Sequence, residues 1–259
     1  DLQFLIARVN ARSALTDPAY APTTTTALAE AEAALTAAGL ATLSGTLASP
    51  VVGGQSWLPR ATLTTGLRVD SQARYDALIA SPRRSLLHVA HAAGWQTAAV
   101  VPAITRAWPE GGFFGYDRIL AAADLGYRGA PFNWVTMPDQ FTLAATERLL
   151  LDPAPRAPVM AEIALISSHA PWTPIPPLLP WDALGDGSVF TPHAAAGDAP
   201  DVLWRDPARV ADQYRRAIDY TLRTLTGFLL RHVADPPLTI ILGDHQPGVV
   251  TEEFVDLPE

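Results

Sequence analysis

Apolar and polar positions follow two periods along this chain, and the changes of period mark its elements. Residues 2–7, Leu-Gln-Phe-Leu-Ile-Ala, form a short apolar run that reads as a first strand. Thr23–Thr26 caps a run of Ala, Leu and Glu that ends near Ala38 and is stopped by Gly39, which together predict a helix. A short strand is expected at about Ala41–Leu47, and helical spacing returns at about 57–66, 71–80 and 83–93. Gly94–Val101 passes from helix end into strand, Asp117–Leu120 reads as another short strand, and Pro138–Leu150 as a helix. Val159–Ser167 is strongly apolar and predicts a strand. The Pro-rich stretch 170–208 carries no period, and a loop of that length inside a domain is usually functional or mobile. Arg205–Val233 has the pattern of a long amphipathic helix. It leads into Leu238-Thr-Ile-Ile-Leu242, a run long enough for a strand buried on both faces, which Gly243 and Pro247 bring to a stop. No internal repeat is present. Strands alternating with helices predict an α/β fold, a mostly parallel central sheet with helices on both faces, and the length fits one large domain or two small ones.

Composition narrows the function classes. A chain of 259 residues that is 49% hydrophobic can bury a large core, and no run of 18 apolar residues is available to span a bilayer. It starts without Met, directly on an apolar strand, and only 14 residues follow His245. The expectation is therefore a domain cut from a longer protein at both ends. A net charge of −8 and a pI of about 5.2 argue against nucleic-acid binding, which rests on neutralising phosphates. All 18 basic residues are Arg, so catalytic lysines, Schiff bases and a Walker-type phosphate loop are excluded. The absence of Cys removes thiol nucleophiles, thiolate metal sites and disulfides, a composition that suits an exported domain.

Three polar motifs follow apolar runs, and in a parallel sheet such motifs converge on one edge. The last is Gly-Asp244-His245, a carboxylate beside an imidazole just past a strand end. That pair suits a divalent cation, and equally a capped turn. The first is Gly-Gly-Gln-Ser56, immediately before a helical pattern. Its hydroxyl is placed either to cap the helix or to act as a nucleophile where helix N–H groups and a nearby cation favour an alkoxide. The second is Ser167-Ser168-His169, where the imidazole either donates to a phosphate oxygen or leaving group, or is held by loop carbonyls. Arg106 and Trp108 lie in a Gly- and aromatic-rich segment. Arg106 offers a planar fork for phosphate or sulfate and Trp108 a pocket wall; the plainer reading is a surface arginine on a packed loop. His88, His91, His193 and His232 read as structural or solvated.

The order of these elements (the Gly-Gly-Gln-Ser56 turn, Phe-Gly-Tyr-Asp117, Ser-Ser-His169, Gly-Asp244-His245) resembles sulfatase-like proteins of the alkaline phosphatase superfamily. Within it the chain is most similar to the lipoteichoic-acid-synthase-like branch, a likeness that includes Tyr214-Arg-Arg-Ala-Ile-Asp-Tyr220 and runs to about Pro247. The resemblance implies a single domain over residues 1–259, an alkaline-phosphatase-like three-layer sandwich, and a metal-dependent hydrolase or transferase acting on phosphodiesters, less readily on sulfate esters. By the same resemblance Ser56 is nucleophile and metal ligand, and Asp244 and His245 hold a manganese, magnesium or zinc ion. His169, Arg106 and Trp108 meet the substrate, a small or lipid-linked phosphoester. An extracytoplasmic location is implied, with a membrane anchor in segments outside this chain.

The pattern departs from the family at two places. A carboxylate is expected at the end of the first strand, and Arg8 stands there. Exchanging −1 for +1 about 5 Å from a dication, at an effective dielectric of about 20, costs about 10 kcal/mol before screening, and a tenth of that weakens binding about fivefold. Three outcomes stay open: a silent relative, an anion-binding module in which Arg8 takes the cation's place, or a weaker site completed by Asn10 or another group. Formylglycine sulfatases also need Pro two and Arg four residues after the reactive residue. Here Leu58 holds the second place, Pro59 comes one late and Arg60 holds the fourth, so a serine acting on a phosphoester is the preferred reading.

Overall fold

A computed structural model of the chain describes residues 4–8, 21–45, 47–152 and 157–245. Five parallel strands form one sheet: β1 (Phe4–Arg8), β2 (Gln96–Val101), β3 (Arg118–Ala121), β4 (Val159–Ala164) and β5 (Leu238–Leu242), in the order β3-β2-β4-β1-β5. Helices α1 (Ala21–Ala37), α2 (Trp57–Thr65), α3 (Gln72–Ile79), α4 (Leu86–Ala92), α5 (Asp139–Thr146) and α6 (Pro207–Arg231) cover it. The α/β architecture with a parallel sheet read from the sequence is the one observed.

Alternation along β4 assigns the layers. Val159, Ala161 and Ile163 join the main core with Phe141 of α5 and Tyr214, Ile218, Leu225 and Phe228 of α6. Met160 instead packs with Leu87 of α4, and Glu162 reaches α2, so those two residues face the opposite layer. Helix α6 starts where Asp206 accepts from the amides of Ala208 and Arg209 with Pro207 in the first turn, a strong N-terminal signal. Its buried positions recur three and four apart, while Asp212, Arg215 and Arg216 pair on the solvent side.

Several expectations are corrected. The apolar run Leu238–Leu242 was expected to be buried on both faces, but among the described residues β5 is an edge strand, and Leu238 is 60% exposed. Among the described residues of Ala41–Leu47 no strand forms; they are irregular and exposed. The strand at Val159 ends at Ala164 rather than Ser167, because the next residues turn to meet Asp139. The long loop after His169 folds into short helical turns, buries Phe190 and is tied to α5 by two hydrogen bonds between Gln140 and Leu179.

Candidate active site

All five strands run the same way, so the turns after β1, β4 and β5 share one edge of the sheet. Leu242 and Ala164 flank Arg8 in register, which sets the last residue of β1 between the strand ends that lead to His245 and to His169. Asn10 lies outside the described residues.

The segment before α2 crosses the end of β5 and is fastened to it. Ser49 Oγ donates to the Asp244 carbonyl at 2.6 Å, and the Gly54 amide donates to His245 Nδ1 at 3.2 Å. Gly54 and Gln55 both take left-handed backbone, φ 65° and 54°, which turns the chain sharply into the helix. Gly54 adopts it freely; Gln55 does so at a steric cost. Ser56 then occupies the N-cap position in helical conformation, and its side chain makes no cap bond. Its Oγ instead lies 3.1 Å from His245 Nε2. The hydroxyl is thus directed to the histidine and not spent on the helix.

Asp244 and His245 are both buried, and Asp244 Oδ2 lies 3.7 Å from His245 Nε2 while Oδ1 accepts from the His245 amide at 3.0 Å. One hydroxyl, one imidazole nitrogen and one carboxylate oxygen therefore face each other with separations of 3.1 and 3.7 Å about Nε2. A tetrahedral ion with bonds of about 2.0–2.2 Å separates its ligands by about 3.3–3.6 Å, and the two distances lie just below and just above that range, so shifts of a few tenths of an ångström would admit a divalent cation. Protons set one condition. A ring whose Nδ1 accepts from Gly54 carries its hydrogen on Nε2, and ligation there requires that bond to be given up. Losing one such bond costs about 0.5–1.5 kcal/mol, small beside the binding free energy of a structural zinc, about 10 kcal/mol or more. The donor set fits a cation at that modest cost. Among the described residues no group of three or more His, Cys, Asp or Glu gathers, so the set relies on the Ser56 hydroxyl as its third member.

His169 stands at the same edge past β4. Its Nδ1 donates to the Ala170 carbonyl at 2.7 Å, leaving Nε2 as the acceptor nitrogen of the neutral ring, and the ring stacks on Trp134 at 4.2 Å. In that form His169 accepts a proton; donating to a phosphate oxygen requires the imidazolium. The turn that carries it is held by Asp139, fully buried at 0% exposure. Its Oδ1 accepts from the amides of Ile166 and Ser167, and its Oδ2 from the Thr221 hydroxyl. Burial pushes this carboxyl above its ordinary range even against those bonds.

Of the residues singled out in the sequence, the structure brings Ser56, Asp244 and His245 together and sets His169 on the same edge. Arg106 is exposed and makes no hydrogen bond or ion pair among the described residues. Trp108 lies against a guanidinium that sequence reasoning noted only for its spacing: Arg60 Cζ sits 4.0 Å over its ring. Arg60 is 5% exposed, and its Nε donates to both oxygens of Glu162 at 2.9 and 3.0 Å. Its Nη2 donates to the Tyr116 hydroxyl at 2.8 Å, and that hydroxyl donates in turn to Glu162. The clue was a charged residue inside the apolar run Val159–Ile166, where no strand face meets water.

No protein-family model and no curated protein matches the sequence. Solved structures do. The lipoteichoic acid synthase LtaP from Listeria monocytogenes superposes with a TM-score of 0.62 at 14% identity, over 99% of this chain and 58% of that one. A protein in the alkaline phosphatase superfamily from Vibrio parahaemolyticus superposes with a TM-score of 0.58, also at 14% identity, over 96% of this chain and 55% of that one. The chain thus spans somewhat over half the length of each. At these identities the likeness establishes architecture, and the chain carries the fold of LtaP and of that alkaline phosphatase superfamily protein, the fold to which its motifs pointed.

Proposed function

We propose that this chain is a phosphoester hydrolase or transferase domain in which Ser56 is the nucleophile. The observation that carries the reading is the 3.1 Å approach of Ser56 Oγ to His245 Nε2, beside buried Asp244, at the ligand-binding edge of a parallel sheet. Ser56 Oγ gives its proton to solvent water and attacks phosphorus, the oxygen–phosphorus bond to the leaving group breaks with the departing oxygen protonated from solvent, and the phosphoryl group then passes from the serine to water or an acceptor hydroxyl, which restores the Ser56 hydroxyl. His245 is not the base for the first step: without a cation Nδ1 accepts from Gly54 and Nε2 holds the hydrogen, and with a cation bound Nε2 would be a ligand. His169, with Nε2 as acceptor, takes the proton of the incoming hydroxyl in the second step. Asp244, His245 and Ser56 would hold a divalent cation of the manganese, magnesium or zinc kind, which supplies charge to the transferring group and lowers the hydroxyl pKa. The substrate class is a phosphodiester, small or lipid-linked, and the location extracytoplasmic with any membrane anchor in other segments. Among the described residues no helix is long and apolar enough to cross a membrane.

Turnover of bis(p-nitrophenyl) phosphate with manganese is expected for the wild type and not for Ser56→Ala; equal turnover by the two removes Ser56 from the role. A second reading, a non-catalytic anion-binding domain, is favoured by one observation: Arg8 closes β1 between the strand ends that carry the candidate residues. Metal analysis of the purified protein separates the two. One bound dication per chain supports the enzyme, and its absence after incubation with manganese supports the binding domain.

A further inference from the structure

We propose that the buried cluster of Arg60, Glu162 and Tyr116 is a positioning device for Ser56. Arg60 lies one helical turn after Ser56, and its amide bonds the Ser56 carbonyl at 3.3 Å in the first turn of α2. Leu58, between them, is fully buried, so this turn has no room to shift sideways. Glu162 belongs to β4, in register with Ile6 of β1 and Ala99 of β2, at the middle of the sheet. The guanidinium therefore ties the turn that bears Ser56 to the most interior strands. Both oxygens of Glu162 and the Tyr116 hydroxyl define its angle, and the Trp108 and Phe114 rings lie 4.0 and 5.0 Å from its centre. His245 hangs on β5, at the far side of β1 from β4. The contact between Ser56 and His245 thus joins two parts anchored on different strands, and the Arg60 cluster fixes one of them.

Stability alone does not account for the cluster. A buried ion pair gains little over well-packed apolar residues of the same size, because desolvation offsets the attraction. What it adds is direction, through three donor–acceptor vectors that a hydrocarbon contact lacks. Burial works against the charge on Arg60, yet Glu162 and Tyr116 outweigh it and hold the guanidinium protonated; burial and then Glu162 keep the Tyr116 hydroxyl protonated as the bridging donor. Arg60 and Tyr116 thus both stay protonated, as donors to Glu162.

This inference rests on the role given to Ser56 only in its kinetic part, so the test has two readouts. In full-length Tyr116→Phe and Glu162→Gln, amide exchange over residues 53–57 is expected to rise at least tenfold relative to α6. The kcat for bis(p-nitrophenyl) phosphate with manganese should fall at least fivefold, with KM within twofold. Exchange that rises equally in the Ser56 segment and in α6, or in neither, overturns the positioning role whatever the turnover. If wild type and Ser56→Ala turn over alike, the proposed function falls instead, and the exchange ratio still decides whether the cluster holds Ser56.

Discussion

Replacing Asp139 tests how the His169 turn is held. This carboxylate is the acceptor for two buried amides, Ile166 at 2.8 Å and Ser167 at 2.9 Å, and for the Thr221 hydroxyl at 2.7 Å. Asp139→Ala strands both amides. A buried donor without an acceptor costs about 1–3 kcal/mol, so the pair should cost about 2–6 kcal/mol, while the Thr221 hydroxyl can rotate to another partner. Against a total of about 5–15 kcal/mol for a folded domain, that is a large share. Asp139→Asn keeps an oxygen for the two amides, and its NH2 can donate to Thr221, so it should lose at least about 2 kcal/mol less than Asp139→Ala. The pH dependence separates charge from geometry. Because burial raises the folded-state pKa above 3.8, the folded protein holds this proton more tightly than the unfolded chain. Stability from this group is therefore highest at or below pH 3.8, falls as pH rises toward the folded value, and stays at the lower level above it. Asp139→Asn should remove that slope. Urea unfolding followed by tryptophan fluorescence, across pH, measures all three proteins. An Asp139→Ala variant within about 1 kcal/mol of wild type, or an Asn variant no better than Ala, refutes the role given to these bonds.

Further outcomes are expected. Arg8→Glu should tighten manganese binding, measured by calorimetry, at least about tenfold, a small fraction of the unscreened Coulomb difference; unchanged affinity means that the end of β1 does not face the cation. Gly54→Ala should cost about 1 kcal/mol in thermal melting, since φ is 65° there and open space around the new methyl leaves backbone strain as the only penalty.

Much of the fold was legible because each signal was local. The buried stripe of α6 follows from its own spacing, and the motifs after β4 and β5 had to share an edge once the strands were parallel. Ser56 follows no strand; it meets His245, 189 residues away, because Ser49 and Gly54 fasten its segment to the end of β5. What stayed hidden depends on neighbours. The run Leu238–Leu242 has the composition of an interior strand, yet nothing within it tells that, among the described strands, β1 alone lies beside it. Ala41–Leu47 has strand-like residues, yet those described pair with no strand. Glu162 was visible as a charge in an apolar run, but its partner, 102 residues away on another element, was not. Trp108 looked like a pocket wall, and the residue it covers belongs to the same hidden pair.

The strand order has a practical consequence. β1 is flanked by β4 and β5, so the earliest described strand gains its second neighbour only when the last one is made. During synthesis the site stays open until β5 has been made, and five residues then complete it. The link Val233–Pro237, which joins α6 to β5, is largely exposed. A single protease cut there would unhook the segment carrying Asp244 and His245 while leaving the interior strands paired, a means of disarming the protein without unfolding it.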